Sequence, residues 1–534
     1  MTSTDLKRVL YISAMSATAF SLPLSVWLLS FFTILTLLVW ILDGGLARIN
    51  LLFGEKKDIL MFFVFYLVYL VWMMCTSDIR SGLTELRLKL PVLVFPLVTG
   101  LSSPVREKEL RIIISSFIFG IIISSAYGVV EGAGAVFSGL ADPRCLSPFI
   151  SNIRMALMAV FGIFSAAWFI FKRPVWNLWN IFFLTSVIWM ITYLFLLLSL
   201  TGLILFLIVL VISLYFAVNR SGYRILRMAY PFLVALATII SLFFILRQVR
   251  SFYLPRYPYS LPPAEFSATG NRYSNDLSRK DIENGNRVWI YLCESELRKE
   301  WNKKGSIPYD STDRAGQELR YTLARYMTSA GLKKDSAGMT MLDKTDIFNI
   351  ESGMTNRLFP VWSPWKRKIY EVIWQIDYYR NGGNPSRHSL TQRLEFLKTG
   401  FQIFKSSPFL GIGTGDIALA YAAQYTKNHS RLEPGFRLLC HNQFLTFLIS
   451  FGIAGTLIIC FALFYPFFIT RGYRNYLALV FFIIIILSML GEDTFETHTG
   501  ITLFSYFYSV FIFGMGRYQK NDLTEKVTGS CGKS

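Results

Sequence analysis

The chain has 534 residues, of which 53% are hydrophobic and only 16% charged. A soluble globular domain carries about a quarter charged residues, so this composition excludes an ordinary soluble enzyme and implies an integral membrane protein. The formal net charge of +19 fits membrane topology, anionic headgroups or an anionic substrate. No nucleic-acid recognition module is visible, so nucleic acid is not an expected partner.

From the N-terminus, Met1–Leu6 is polar, and the apolar stretch after Lys7-Arg8 runs on into further apolar segments. No cleavable signal peptide is expected. The apolar runs predict about twelve spans, near 9–22, 26–42, 58–75, 88–101, 111–133, 153–171, 178–198, 200–218, 228–247, 441–469, 475–490 and 499–516. Pro23 separates the first two, and Ser199-Leu200-Thr201-Gly202 is the only hairpin signal within 178–218. The predicted fold class is all-α, a polytopic membrane protein with one large periplasmic loop domain. Its parts are a bundle at 1–247, the loop domain at 248–440, membrane helices at 441–516 and a cytoplasmic tail at 517–534.

Charge sets the orientation. Lys7-Arg8, Lys56-Lys57, Arg106 with Lys108, Lys172-Arg173, Arg220 with Arg224, Arg471 with Arg474, and Arg517 fall on alternate loops. That pattern puts the N-terminus in the cytoplasm and 248–440 outside. Pro255, Pro258, Pro262 and Pro263 predict an extended entry to the loop. Helices are predicted at Asp313–Ala330 and at Ser389–Phe404. The second puts Leu390, Leu394, Leu397 and Phe401 on one face and Arg393 on a neighbouring one.

The residues that carry chemistry cluster late in the chain. His441-Asn442 falls where the polar loop meets an apolar block, and His is scarce, with four in all. An imidazole there can take a proton from a hydroxyl; the plain alternative is a histidine at a helix cap. Gly411, Gly413 and Gly415 form a tight turn that either packs ahead of a helix capped by Asp416 or turns its amides to an anion. It lacks the Lys-Ser/Thr ending of a P-loop. Arg393, Arg287, Arg154 and Arg80 can grip phosphate bidentately or snorkel to headgroups. Glu492, Asp493 and Glu496 lie on one short outer loop, where a carboxylate would fix the His441 tautomer or bind substrate hydroxyls; a solvated loop is the alternative. Six cysteines form no CxxC pair, so no metal site is expected. Cys293 and Cys440 share the outer segment, where a disulfide is chemically permitted. Trp289, Trp301, Trp362, Trp365 and Trp374 concentrate in the loop, suited to sugar stacking or to a small core.

His441-Asn442 followed by Gly452-x-x-Gly455, with Arg393 and Ser407-Pro408-Phe409-Leu410-Gly411-Ile412-Gly413-Thr414-Gly415 upstream, resembles the O-antigen ligase and polymerase superfamily of bacterial envelope enzymes. The ending Glu492-x-x-x-Glu496-Thr-His498-Thr-Gly500 looks like its Bacteroides-type branch. The resemblance implies a metal-independent, inverting glycosyltransferase of the inner membrane with its site facing the periplasm and no cofactor. It would move a glycan from undecaprenyl pyrophosphate to a sugar hydroxyl, often on lipid A–core. It implies His441 as base and Arg393 as pyrophosphate ligand; Asn442, Gly411, Gly413, Gly415 and Glu492 are the further residues expected to contact substrate. A second arginine expected near the eighth span is replaced by Leu200, which leaves Arg287, Arg154 or Arg80 to substitute. A polymerase, a protein O-oligosaccharyltransferase, a polysaccharide transporter and a non-catalytic scaffold are the competing readings. A transporter would carry charged residues deep in several spans, and these spans are mostly clean.

Overall fold

A computed structural model describes residues 3–137, 142–172, 177–255 and 263–515. Arg173, Pro258, Pro262 and the tail at 517–534 lie outside these residues. Helices dominate, and the strands among the described residues are one antiparallel pair, Ile282–Glu283 with Asn286–Arg287. Every expected span contains a helix. Among the described residues seven helices are long and apolar enough to cross a bilayer, and an eighth span arises if Val26–Leu42 and Gly45–Gly54, bent by 75°, count as one. The chain is thus an all-α polytopic membrane protein. Helices at Pro91–Gly100 and Tyr476–Ser488 are shorter than the expected spans.

The chain forms two compact units. The first holds 1–217, 396–429 and 437–534; the second holds 218–395 and 430–436. This division follows packing, whereas the expected boundaries at 247 and 440 follow polarity. Arg224–Tyr253 therefore groups with the second unit, and Ile417–Lys427 with the first.

In the first unit, Gln443–Ile469 packs along Lys57–Val71, and Asn152–Lys172 packs along Leu178–Leu196. These helices are apolar all round, as segments surrounded by protein and lipid must be. Aromatic rings fill the seams: Phe62 stacks on Tyr508 at 4.8 Å, and Phe161 meets Phe507 edge-on at 4.9 Å. The Gln443–Ile469 helix is broken at Gly452, whose φ of 61° and ψ of −169° lie outside helical geometry.

In the second unit, Leu297, Trp301, Leu319, Leu323, Tyr326 and Ile350 form a small core. A second core joins Phe252, at the end of Arg224–Tyr253, to Tyr370, Ile373 and Trp374 of Pro364–Arg380. One buried ion pair anchors this region. Arg325 and Glu283 meet at 2.8 Å, and Glu283 also accepts from Asn356 and Tyr370.

Three expectations need correction. The helix predicted from Asp313 begins at Leu319. Asp313 instead holds a turn, its Oδ1 accepting from the amides of Ala315 and Gln317. In Ser389–Ser406 the buried positions include Phe396, Thr399, Gly400 and Ile403, while Leu394 and Phe401 are exposed. Small residues decided that face: a Cβ on Gly400 would press on Tyr421, Leu445 and Ile449. Finally, Cys293 and Cys440 are both free thiols, in different units.

Candidate active site

The glycine turn and the broken membrane helix are two halves of one backbone clasp. At Gly452 the helix loses its own hydrogen bonds, and the Pro408–Gly413 stretch supplies replacements. Ile453 N–H donates to Pro408 O at 2.8 Å and Ala454 N–H to Phe409 O at 3.2 Å. In return Ile412 N–H donates to Ile449 O at 3.0 Å and Gly413 N–H to Ser450 O at 2.9 Å. A helix break at membrane depth is tolerated only where such partners exist. Gly411 and Gly413 have φ of 70° and 103°, a region that favours glycine.

This geometry corrects the expected role of Gly411, Gly413 and Gly415. Their amides donate inside the fold, to Ser407 O, Ser450 O and Thr76 Oγ1 respectively, so they are not turned to an anion. Asp416 stands at the N-cap position of Ile417–Lys427 but does not cap it. Its carboxylate instead accepts from Ser77 N–H at 2.8 Å, Ser77 Oγ at 2.8 Å and Asp78 N–H at 2.8 Å. It thereby ties the turn to the start of Ile79–Leu88.

The clasp fixes the depth of the Gln443–Ile469 helix, and His441 sits just before that helix begins. Asn442 is the N-cap: its Oδ1 accepts from Leu445 N–H at 2.9 Å, and its Nδ2 donates to Leu490 O at 2.9 Å. With both ends engaged by the protein, Asn442 positions the start of the helix. His441 has a φ of 49°, unusual for a side chain of its size. Its backbone N–H is held by Asp493 Oδ2 at 3.0 Å, while Asp493 Oδ1 accepts from Thr446 Oγ1 at 2.8 Å.

The imidazole is partly exposed, at 31%, with Nδ1 3.7 Å from Glu492 Oε2. That distance is an ion-pair approach rather than a direct hydrogen bond. Phe396 packs on the ring at 5.7 Å between centres. Arg154 lies within electrostatic reach of Glu492 and Asp493. The first unit therefore brings His441, Glu492, Asp493 and Arg154 together. Burial pushes the Asp493 carboxyl up, with the Thr446 hydrogen bond opposing.

The remaining expected residues are the arginines Arg80, Arg287 and Arg393. Arg80 is exposed and lines a shallow groove with Leu83, Thr84 and Arg87. Arg287 lies in the second unit's hairpin, its Nη1 donating to Leu277 O at 2.8 Å. Arg393 is half-buried in the first part of Ser389–Ser406.

A buried ionic group lies beneath His441 that the sequence reading did not find. Lys89 is fully buried, with Nζ 2.8 Å from Glu85 and 2.7 Å from Glu496. Gln443 joins it to the site: Nε2 donates to Glu496 at 2.6 Å, and Oε1 accepts from Phe495 N–H at 2.7 Å. Burial, then the nearby Glu496 charge, pushes the Glu85 carboxyl up to about 7, with Lys89 opposing. Burial works against ionised Glu496 too, but Lys89 and the surrounding hydrogen bonds hold it below the usual range. The available signal was Lys89 itself, a charge at the lip of an apolar run.

An all-helical membrane bundle that presents an imidazole beside a carboxylate at the end of a broken helix is suited to proton removal from a hydroxyl. Residues 349–460 match the family described as O-antigen ligase. This segment, an O-antigen ligase-like domain, takes in Arg393, the glycine turn, His441-Asn442 and Gly452-x-x-Gly455. The match supports a function of the ligase or polymerase kind, that of a glycosyltransferase-like membrane enzyme. No curated protein matches the chain.

Proposed function

We propose that the chain is an inner-membrane ligase that transfers a glycan from undecaprenyl pyrophosphate to a sugar hydroxyl of lipid A–core on the periplasmic face. The observation that carries this reading is His441 Nδ1 facing Glu492 at 3.7 Å. A carboxylate on that side favours the proton on Nδ1 and leaves Nε2 free to accept one. Asp493 fixes the backbone from which the ring projects.

In the proposed reaction the acceptor oxygen attacks the anomeric carbon as its proton passes to His441 Nε2. The bond from that carbon to the phosphate oxygen breaks, and configuration inverts. The pyrophosphate leaves with its electron pair, and its growing charge is what most needs stabilising. Arg393 takes this role. Of the three arginines offered for the second phosphate contact, Arg154 is favoured, because it stands with the carboxylates beside His441, whereas Arg287 is engaged by a backbone carbonyl. The sugar–phosphate bond of the donor supplies the driving energy, so neither ATP nor a metal is called upon.

The test is transfer by the purified chain from a lipid-pyrophosphate glycan to lipid A–core or to a growing glycan. Transfer to lipid A–core fits a ligase, and extension of the glycan fits a polymerase. No transfer to either removes the reading.

A further inference from the structure

The second unit contains a cleft of 730 Å³, within the roughly 300–1,000 Å³ typical of small-molecule sites. Aromatic side chains dominate one part of its lining: Trp289, Tyr309, Tyr321, Trp374 and Tyr378. Trp374 and Tyr378 are stacked 4.8 Å apart, and His388 meets both rings edge-on. Trp289 and Tyr321 lie 5.6 Å apart. Gln317, Asn384, Ser386 and Thr312 add amides and hydroxyls to the same lining. The Tyr321 hydroxyl is buried without a hydrogen-bond partner among the described residues.

The charged groups of the lining are committed to partners inside the unit. Arg279 lies 3.6 Å over the Trp289 ring and pairs with Asp281 at 3.2 Å. Arg320 pairs with Glu318 at 2.8 Å, and Arg387 donates to Gly316 O at 2.6 Å. Burial, and secondly the Arg325 charge, pushes His388 down to about 4, so its ring is neutral near pH 7. The lining also holds Asp276, Glu294, Glu318 and Glu433, so its four carboxylates outnumber its three arginines and disfavour an anionic ligand. A neutral ligand with C–H faces and many hydroxyls fits better: its hydroxyls suit the amides and carboxylates, and its C–H groups suit the ring surface left open beside Arg279 on Trp289 and Arg325 on Trp374.

We propose that this cleft, lined by Trp289, Tyr321, Trp374, Tyr378 and Asn384, is a binding site for a neutral oligosaccharide segment. It is larger than one sugar ring requires, so it holds several residues of a chain. It rests on the reading above only in taking the chain's substrate to be a glycan. Its role is retention of that glycan, separate from the transfer step at His441.

The experiment uses the full chain in lipid nanodiscs. The probes are size-fractionated oligosaccharides released by mild acid from the source organism's envelope glycans, sorted into neutral and acidic pools. Binding is read by saturation-transfer NMR and titration. Neutral fractions should show transfer, weakened about two- to tenfold by Tyr378→Ala, the weight of one aromatic contact. Asn384→Ala, at an exposed position, should also weaken it while leaving the aromatic packing intact. Met341→Ala, exposed and outside the lining, should not. His441→Ala should leave it unchanged. If binding follows this pattern in a chain that transfers nothing, the enzymatic reading fails and this one stands. Absence of binding by every neutral fraction, tighter binding of acidic ones, or parental affinity in both cleft variants would overturn it.

Discussion

Lys89 offers a quantitative test of the buried group beneath His441. Replacing it by Met preserves length and volume and removes the cation that pairs with both Glu85 and Glu496. Breaking a buried ion pair by deleting one partner costs about 3–5 kcal/mol. The lower end applies here, because the Glu85 and Glu496 side chains keep 27% and 16% exposure and part of their charge is screened. Glu496 also keeps its bond from Gln443. The expected loss is therefore about 3 kcal/mol, read by detergent-titrated unfolding of the purified full chain. Adding Glu496→Gln removes one of the stranded charges and should restore more than half of it. A Lys89→Met protein within about 0.5 kcal/mol of the parent, the range of a surface change, would refute this reasoning. So would a double variant whose losses simply add.

Other outcomes follow from the same geometry. Glu85 has a raised folded pKa, about 7, so its contribution to stability is present below its ordinary carboxylate range and lost as pH rises toward 7. Thermal unfolding between pH 5 and pH 8 should therefore show a decline toward high pH that Glu85→Gln flattens. Gly413→Ala places a Cβ 2.7 Å from Cys75 O at a φ of 103°, and should cost about 1–3 kcal/mol in the same unfolding assay. Asp416→Ala strands the Ser77 and Asp78 donors it now satisfies and should cost about 1–3 kcal/mol. Asp493→Asn keeps shape but lowers the negative charge beside His441 and should reduce transfer more than it reduces stability, measured by comparing the two.

Hydropathy made the membrane helices legible, because spanning segments must be apolar whatever their partners. The motif at His441 and the glycine turn was legible too, but not its division of labour. Glycine spacing reads alike for a phosphate cradle and for a backbone clasp, and only the break at Gly452 shows where the amides go. Asn442 as an N-cap follows from its place before an apolar run. The shared face of Leu394 and Phe401 in Ser389–Ser406 was legible, but not that it stays exposed while Thr399 and Gly400 pack inside. The Lys89 group was hidden because it joins residues far apart in sequence, and the aromatic cleft because its lining comes from several loop segments.

The decisive measurement is transfer by His441→Ala, with purified lipid-pyrophosphate glycan as donor and lipid A–core as acceptor. A general base contributes about 10²–10⁴-fold, so the variant should turn over that much more slowly, with donor binding and folding intact. Parental turnover in that variant would contradict a base at this position.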